Sequence, residues 1–177
     1  PQNTKYYFRE GFSWTTLSIG AFSARYMPAG QIFDAKGSSC FADNAVVLKA
    51  LLGLTNSKVS TEFYKILSPT VDYSAGSIGK LPVASEILSN AQVIDKVDMC
   101  IELSRNDWDS FETSWDFQRH PLVEYSKSVA KAEIDTDWAN QSYILKNAYE
   151  AWEYQCKLRF DTLKANEEEL NRIFIEI

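Results

Sequence analysis

The distribution of glycine constrains the fold more than any other feature of this sequence. All seven glycines lie between residues 11 and 79, and the 98 residues from 80 to 177 contain none. Glycine is frequent in turns between short strands, whereas long glycine-free stretches with a 3.6-residue apolar period are typical of helices. The sequence therefore predicts an α+β fold, with a small mixed sheet over residues 1–83 and a long helical spacer over residues 84–177.

Short segments rich in aromatic and β-branched residues alternate with turn signals in the first part. We expect these segments to be strands, and Asp43 or Asn44 to begin a helix that stops at Gly53. A second helix is expected to open at Asn56 and to end before Pro69. The predicted strands are residues 6–8, 14–17, 24–27, 31–33 and 70–73, and residues 74–82 are expected to form a turn-rich exit.

The second part carries two apolar stripes with helical spacing. The first stripe runs from Ile87 to Ile101 and predicts an amphipathic helix of about five turns. Residues 108–121 interrupt the period, and a second stripe runs from Leu145 to Ile177. A continuous helix from about residue 137 would be roughly 60 Å long. Such a helix usually pairs with another, so we expect a helical hairpin or a coiled-coil-like arm.

The cysteines and the hydropathy of the sequence indicate the cellular compartment in which the protein is expected. Cys40, Cys100 and Cys156 are isolated from one another, which favours reduced thiols in a cytoplasmic protein over a disulfide framework or zinc site. No apolar run of about 18 residues is present, so no membrane span is expected. The chain begins with Pro1 and ends within the second apolar stripe, and we expect a piece of a longer protein.

Candidate catalytic residues are few. His120 is the single histidine, with no nucleophile signature near it. Residues 76–80 (GSIGK) resemble a phosphate loop, but Ser74 and Leu81 replace the required glycine and hydroxyl residue. Acidic residues such as Asp107 and Asp109 are expected to be solvated. The sequence therefore predicts no catalytic residue, no metal ligand and no cofactor within this chain.

Charge is divided unevenly between the two parts. Residues 1–83 carry eight Lys and Arg against five Asp and Glu, whereas residues 84–177 carry ten against 19. A modest positive excess beside serines and aromatic residues suits contacts with DNA phosphates and base edges. The predicted phosphate contacts are Arg25, Lys36, Lys58 and Lys80, and the predicted contacts to base edges or phosphate are Ser38 and Ser39.

Several motifs in the first part are similar to those of DNA methyltransferase specificity regions. These are residues 22–28 (FSARYMP), 32–39 (IFDAKGSS), 54–59 (LTNSKV) and 76–83 (GSIGKLPV). An Asn-Ser-Lys helix followed by a Gly-Ile-…-Leu-Pro exit into a long helix resembles target recognition domains of type I specificity subunits and single-chain type II enzymes.

The second part narrows this resemblance. Residues 108–117 (WDSFETSWDF), residues 120–122 (HPL) and residues 170–175 (LNRIFI) resemble the PglX-type adenine-specific methyltransferases of BREX phage-defence systems. The resemblance extends over nearly the whole chain, and the tryptophan-rich segment is its most specific part.

The resemblance implies a parent enzyme that transfers a methyl group from S-adenosylmethionine to adenine N6. The (N/D/S)-P-P-(Y/F) tetrapeptide that flanks the flipped adenine is absent here, so the chain is expected to be the non-catalytic C-terminal target-recognition and helical region. Its expected partners are double-stranded DNA, the catalytic domain of the same polypeptide and other defence-system proteins.

An alternative function is a protein-interaction scaffold that docks other defence components or a DNA-mimic inhibitor. The acidic helical part contains Trp108, Trp115 and Trp138, which would suit such a surface. Burial of these rings between paired helices is the simpler expectation.

Overall fold

A computed structural model describes residues 3–132 and 138–177, with the side chains of residues 3–126 and 145–177. The predicted α+β class is confirmed: a three-stranded antiparallel sheet is combined with helices. The strands are β1 (Gly11–Thr15), β2 (Ala24–Met27) and β3 (Gly37–Cys40). The helices are α1 (Ala45–Thr55), α2 (Lys58–Leu67), α3 (Ala75–Ile78), α4 (Ala91–Trp108), α5 (Pro121–Ala132) and α6 (Trp138–Glu176), with 3₁₀ turns at Thr4–Tyr6 and Ser85–Ser89.

The sheet has the order β2-β1-β3, and both neighbours pair antiparallel with β1. The prediction of a mixed sheet was therefore wrong for the described residues. Only residues 16–23 connect β1 to β2, and a parallel crossover needs about a dozen residues or more, so these two strands can pair only in opposite directions.

The pleat of the sheet separates a core face from an outer face. Phe12 and Trp14 are buried on the core face, where Ala24 pairs with Trp14. The Trp14 indole Nε1 donates a hydrogen bond to the Tyr73 carbonyl at 2.7 Å, which satisfies its polar atom. Ser13 lies between these two core residues and therefore points to the outer face.

Several predicted strands are replaced by other structures. Strand β2 is confirmed, but Thr4–Tyr6 forms a 3₁₀ turn, residues 31–33 form no strand, and residues 70–73 contribute one bridge, between Leu17 and Asp72. The aromatic residues in two of these segments pack on one another instead. Tyr6 stacks on Phe41 with centroids 5.1 Å apart, and Phe33 lies 5.2 Å from Phe41.

Helix α1 begins as predicted, because the Asn44 side chain accepts a hydrogen bond from the Val46 N–H. It does not stop at Gly53 but continues to Thr55. A Cβ at Gly53 would lie 2.6 Å from Val97 Cγ2 and 3.4 Å from the Phe174 ring. Gly53 is therefore a packing glycine that lets neighbouring side chains approach the helix backbone.

The described helices contain no segment that is long and apolar enough to cross a membrane. Contacts divide the chain into two compact units, one of Pro1–Met99 with Asn166–Ile177 and one of Cys100–Ala165. Helices α4 and α6 each contribute residues to both units. The division at residue 83 into a recognition part and a spacer is a functional division and stays a prediction.

Candidate nucleic-acid interface

Eight of the ten basic side chains of the first compact unit fall into two groups. In one group each cation lies within ion-pair distance of a carboxylate of the described structure, so a negative charge accompanies each positive one. Its ion pairs are Arg9–Asp43 (2.9 Å), Lys49–Asp98 (2.7 Å), Lys65–Glu62 (2.7 Å) and Arg172–Glu169 (2.6 Å). The hydrogen bond from Arg172 also holds the pKa of Glu169 below its usual range.

The second group contains the predicted phosphate contacts. Arg25, Lys36, Lys58 and Lys80 are all exposed, and none forms an ion pair within 4 Å of a carboxylate in residues 3–126 and 145–177. These four side chains are therefore free to neutralise an external anion. Their role in DNA binding stays a prediction.

Asn56 places Arg25 and Lys58 in one neighbourhood. Its side-chain Oδ1 accepts the Ala24 N–H at 2.8 Å, and its Nδ2 donates to the Ala24 carbonyl at 3.0 Å. These two bonds satisfy the N–H and the carbonyl of Ala24 at the edge of β2, as a neighbouring strand would. Arg25 follows Ala24 directly and Lys58 follows Asn56 by two residues, so the contact joins two cationic positions that are distant in sequence.

The start of α2 fixes the backbone of Lys58. The Ser57 side chain caps the helix by accepting the Ser60 N–H at 3.1 Å, and the Lys58 N–H donates to Asn171 Oδ1 at 2.7 Å. The second helix therefore begins after Ser57, and Asn56 is the C-cap of α1 rather than the start of α2. The backbone is held while the Lys58 ammonium group remains exposed.

Lys36 lies in a turn that Asp34 organises. Asp34 Oδ1 accepts the N–H of Gly37 at 2.9 Å and the N–H of Lys36 at 2.8 Å. These hydrogen bonds, with a smaller contribution from the Lys36 charge, hold the pKa of Asp34 below its usual range. The turn leads directly into β3, and the Lys36 carbonyl accepts the Thr16 N–H at 3.1 Å.

The two predicted serines lie on opposite faces of β3. Ser38 pairs with Trp14 and faces the core side, where its hydroxyl lies 3.1 Å from Thr16 Oγ1. Ser39 pairs with Ser13, which in turn pairs with Arg25. The row Arg25–Ser13–Ser39 therefore crosses all three strands on the outer face, and we refer to it as the outer-face row. Ser38 does not belong to it.

Sequence reasoning missed Ser13 as a member of this row. The alternation Gly-Phe-Ser-Trp-Thr was available as a signal, because period-2 patterning assigns Ser13 to the face opposite Phe12 and Trp14. Nothing in the local sequence showed that Asn56 would contact Ala24, a residue 32 positions earlier.

Lys80 borders an apolar cavity beside β3. Its neighbours Gly79 and Leu81 line this cavity, which has a volume of about 530 Å³ and is also bordered by Ser39 and Cys40. Burial raises the pKa of the Cys40 thiol, so at neutral pH this thiol is a neutral, apolar-like side chain.

His120 has a structural environment in the second unit. Its Nδ1 accepts the Leu122 N–H at 3.2 Å at the start of α5, and its ring lies edge-on to Trp152 at 4.8 Å. Across residues 3–132 and 138–177 there is no group of three or more His, Cys, Asp or Glu side chains that could hold a metal ion.

Comparison with known proteins shows that the chain is similar to one segment of two adenine-specific methyltransferases. It is 41% identical over 175 residues to the adenine-specific methyltransferase PglX of Lacticaseibacillus casei (strain Zhang), covering 99% of this chain and 14% of that protein. It is also 37% identical over 131 residues to the adenine-specific methyltransferase BrxX of Escherichia coli O9:H4 (strain HS), covering 73% of this chain and 10% of that protein. No protein-family model matches the chain.

These matches confirm the predicted resemblance. The chain is related to one segment of the PglX- and BrxX-type adenine-specific methyltransferases and spans about a seventh of the length of the L. casei enzyme.

Proposed function

We propose that this chain is the DNA sequence-recognition portion of a site-specific adenine-N6 methyltransferase that acts in phage defence. The relatives are adenine-specific methyltransferases, which supports DNA as the substrate and S-adenosylmethionine as the methyl donor of the parent enzyme. The observation that carries the proposal is the outer-face row, in which the exposed Arg25 and the half-buried Ser13 and Ser39 share one face of the sheet.

The chemistry of this face suits duplex DNA. A guanidinium group donates to phosphate oxygens or to guanine, and serine hydroxyls can donate or accept at base edges. Lys36, Lys58 and Lys80 supply further unpaired charge around the same unit. Phosphate contacts would fix the register of the duplex, and contacts from the row would discriminate bases. Both β3 hydroxyls have partners within the chain, Ser38 with Thr16 Oγ1 and Ser39 with the Gly37 carbonyl, each at 3.1 Å. Ser38 is the weaker candidate because it faces the core side.

The reaction itself also requires that target recognition be separate from catalysis. A methyltransferase must extrude its target adenine before N6 can be reached, so a separate surface has to select which adenine is presented. Residues 1–83 would provide that surface, and residues 84–177 would set its distance from the catalytic domain. On this proposal the chain itself contributes no catalytic residue.

The proposal is tested by removing one unpaired lysine and one paired lysine. Lys36→Ala should weaken the binding of the chain to fluorescent DNA duplexes of every sequence. It should also reduce the slope of log affinity against log salt concentration by about one unit. Lys65→Ala changes net charge equally but removes a lysine already paired with Glu62, and should leave the slope unchanged. Unchanged affinity and slope for Lys36→Ala, or equal losses in both variants, would refute the assignment of Lys36.

A second candidate function, protein interaction, is favoured by the aromatic residues of the second unit. The expectation that they are buried between helices was wrong for Trp108, which is 58% exposed, and for Trp115, which is fully exposed. The side chain of Trp138 lies outside those described. Docking of other defence components or of a DNA-mimic inhibitor remains part of this alternative proposal.

A further inference from the structure

The segment between α4 and α5 is a series of hydrogen-bonded turns. The Phe111 N–H donates to the Trp108 carbonyl at 3.2 Å, and the Ser114 N–H donates to the Phe111 carbonyl at 3.0 Å. Ser114 is buried, and its hydroxyl donates to Asp109 Oδ1 at 2.6 Å. The Ser114 Oγ in turn accepts the Asp116 N–H at 3.1 Å. This network holds the segment in a defined shape.

This ordered segment presents large aromatic rings to solvent. Trp108 is 58% exposed, Phe111 is 47% exposed and Trp115 is fully exposed. Aromatic side chains gain more from burial than most others, and clustered exposed tryptophans are typical of interaction sites. A segment pinned by internal hydrogen bonds can present such rings with little loss of conformational entropy on binding.

Carboxylates surround these rings. Asp107, Glu112 and Thr113 line an open pocket of about 500 Å³ together with Trp108, Phe111 and His120. We refer to this pocket as the aromatic–acidic pocket. Residues 106–118 contain four acidic side chains and no Lys or Arg, and Asp107 and Glu112 form no ion pair within the described part of the chain.

The charges around the aromatic–acidic pocket favour a cationic ligand. Carboxylates that lie beside one another repel DNA phosphates but attract cations. The faces of aromatic rings carry partial negative charge, and tryptophan binds ammonium and guanidinium groups best. His120 is held by the Leu122 N–H and by Trp152, so its ring forms part of the wall rather than a mobile group.

We propose that the aromatic–acidic pocket binds a lysine or arginine side chain from an exposed basic segment of a partner protein. The ring of Trp108, with Phe111 beside it, would contact the alkyl stem and the cation, while Asp107 and Glu112 would accept its N–H groups. Trp115, on the same segment, would extend the contact outside the pocket. This site does not depend on DNA recognition by the first unit.

The test uses the 177-residue chain and two synthetic twelve-residue peptides, an Arg-Gly repeat and a Glu-Gly repeat. Indole N–H signals in a ¹H–¹⁵N spectrum report the tryptophans individually. The Arg-Gly peptide should shift the Trp108 signal in a saturable manner, and the Glu-Gly peptide should not shift it. Trp108→Ala, followed through the Trp115 indole signal, and Glu112→Gln, followed through the Trp108 signal, should each weaken the affinity about tenfold.

Matched controls come from the same unit. Phe160→Ala removes a comparably exposed aromatic ring on α6, and Glu150→Gln removes an exposed carboxylate near Lys146. Both should leave the affinity for the Arg-Gly peptide within about twofold, since neither residue lines the pocket. Glu112→Gln keeps the shape of its side chain, so it tests the charge even if Trp108→Ala unfolds the segment.

Three results would overturn the proposal. They are equal binding of the two peptides, equal losses in the pocket variants and the controls, and a Trp108 signal that duplex DNA shifts but the Arg-Gly peptide does not. The last result would instead assign this pocket to nucleic acid.

Discussion

Replacement of Asn56 by alanine tests the contact that joins α1, α2 and the sheet edge. The substitution removes the acceptor of the Ala24 N–H and the donor to the Ala24 carbonyl. Ala24 is only 7% exposed, so water cannot readily replace both partners. Each bond contributes about 1 kcal/mol net, and an unsatisfied buried group costs somewhat more, so we expect a loss of about 2–3 kcal/mol.

Two measurements check this loss. Urea denaturation should show a lower midpoint at an unchanged slope, which reports stability rather than altered compactness. Amide hydrogen exchange should show that the Ala24 N–H loses protection, because this amide lies at the site of the change. The affinity for duplex DNA should fall as well, since Asn56 anchors the β2 backbone next to Arg25 to the junction between α1 and α2.

Asn106→Ala is the matched control. Asn106 is exposed on α4 and makes no hydrogen bond with its side chain in the described structure. Its replacement should change stability by no more than about 0.5 kcal/mol, in the stabilising direction expected from helix propensity. A loss below about 0.5 kcal/mol for Asn56→Ala, with the Ala24 amide still protected, would show that these two hydrogen bonds do not hold the edge of β2.

Two further predictions concern packing and pH. Gly53→Ala should destabilise the chain by about 1–2 kcal/mol in urea denaturation, because the clash with Val97 exceeds the gain in helix propensity. A double-mutant cycle with Val97→Ala should show that the two positions are coupled. A stabilised Gly53→Ala variant would contradict this prediction. The pKa of Asp34 is lowered in the folded state by the N–H groups of Gly37 and Lys36, so its contribution to stability should be complete above the unfolded-state pKa and lost as pH falls through the folded-state pKa. Asp34→Asn should remove this acid dependence, and an NMR titration showing an Asp34 pKa at or above the ordinary carboxyl value would contradict the assignment.

Local signals in the sequence were sufficient for some elements. Strand β2 and the Asn44 cap were predicted correctly, because β-branching, aromatic content and capping chemistry act within a few residues. Strand β3 was missed because Gly-Ser-Ser-Cys has low strand propensity. It is a strand because it pairs with β1, which is a tertiary effect.

The aromatic segments at residues 6–8 and 31–33 show the opposite error. Their composition favours strands, but strand propensity largely reflects packing on a half-buried surface. Here the rings of Tyr6, Phe33 and Phe41 provide that packing among themselves, without a ladder of backbone hydrogen bonds.

The candidate site was predictable in its charges but not in its geometry. Arg25 and Ser39 could be named from residue type alone, whereas their common row depends on the register of both strands with β1. A shift of one residue would have placed Ser38 on the outer face instead. The contact between Asn56 and Ala24 could not be predicted either, because it also depends on the tertiary structure.

An exchange of residues 1–83 between two enzymes tests whether this segment recognises the target sequence. In a full-length methyltransferase of this family, residues equivalent to 1–83 would be replaced by those of a relative with a different target, and methylated adenines would be mapped across the genome by single-molecule sequencing. We expect methylation to switch to the target of the donor enzyme. An unchanged target in a folded and active chimera would contradict it and would assign specificity to another part of the enzyme.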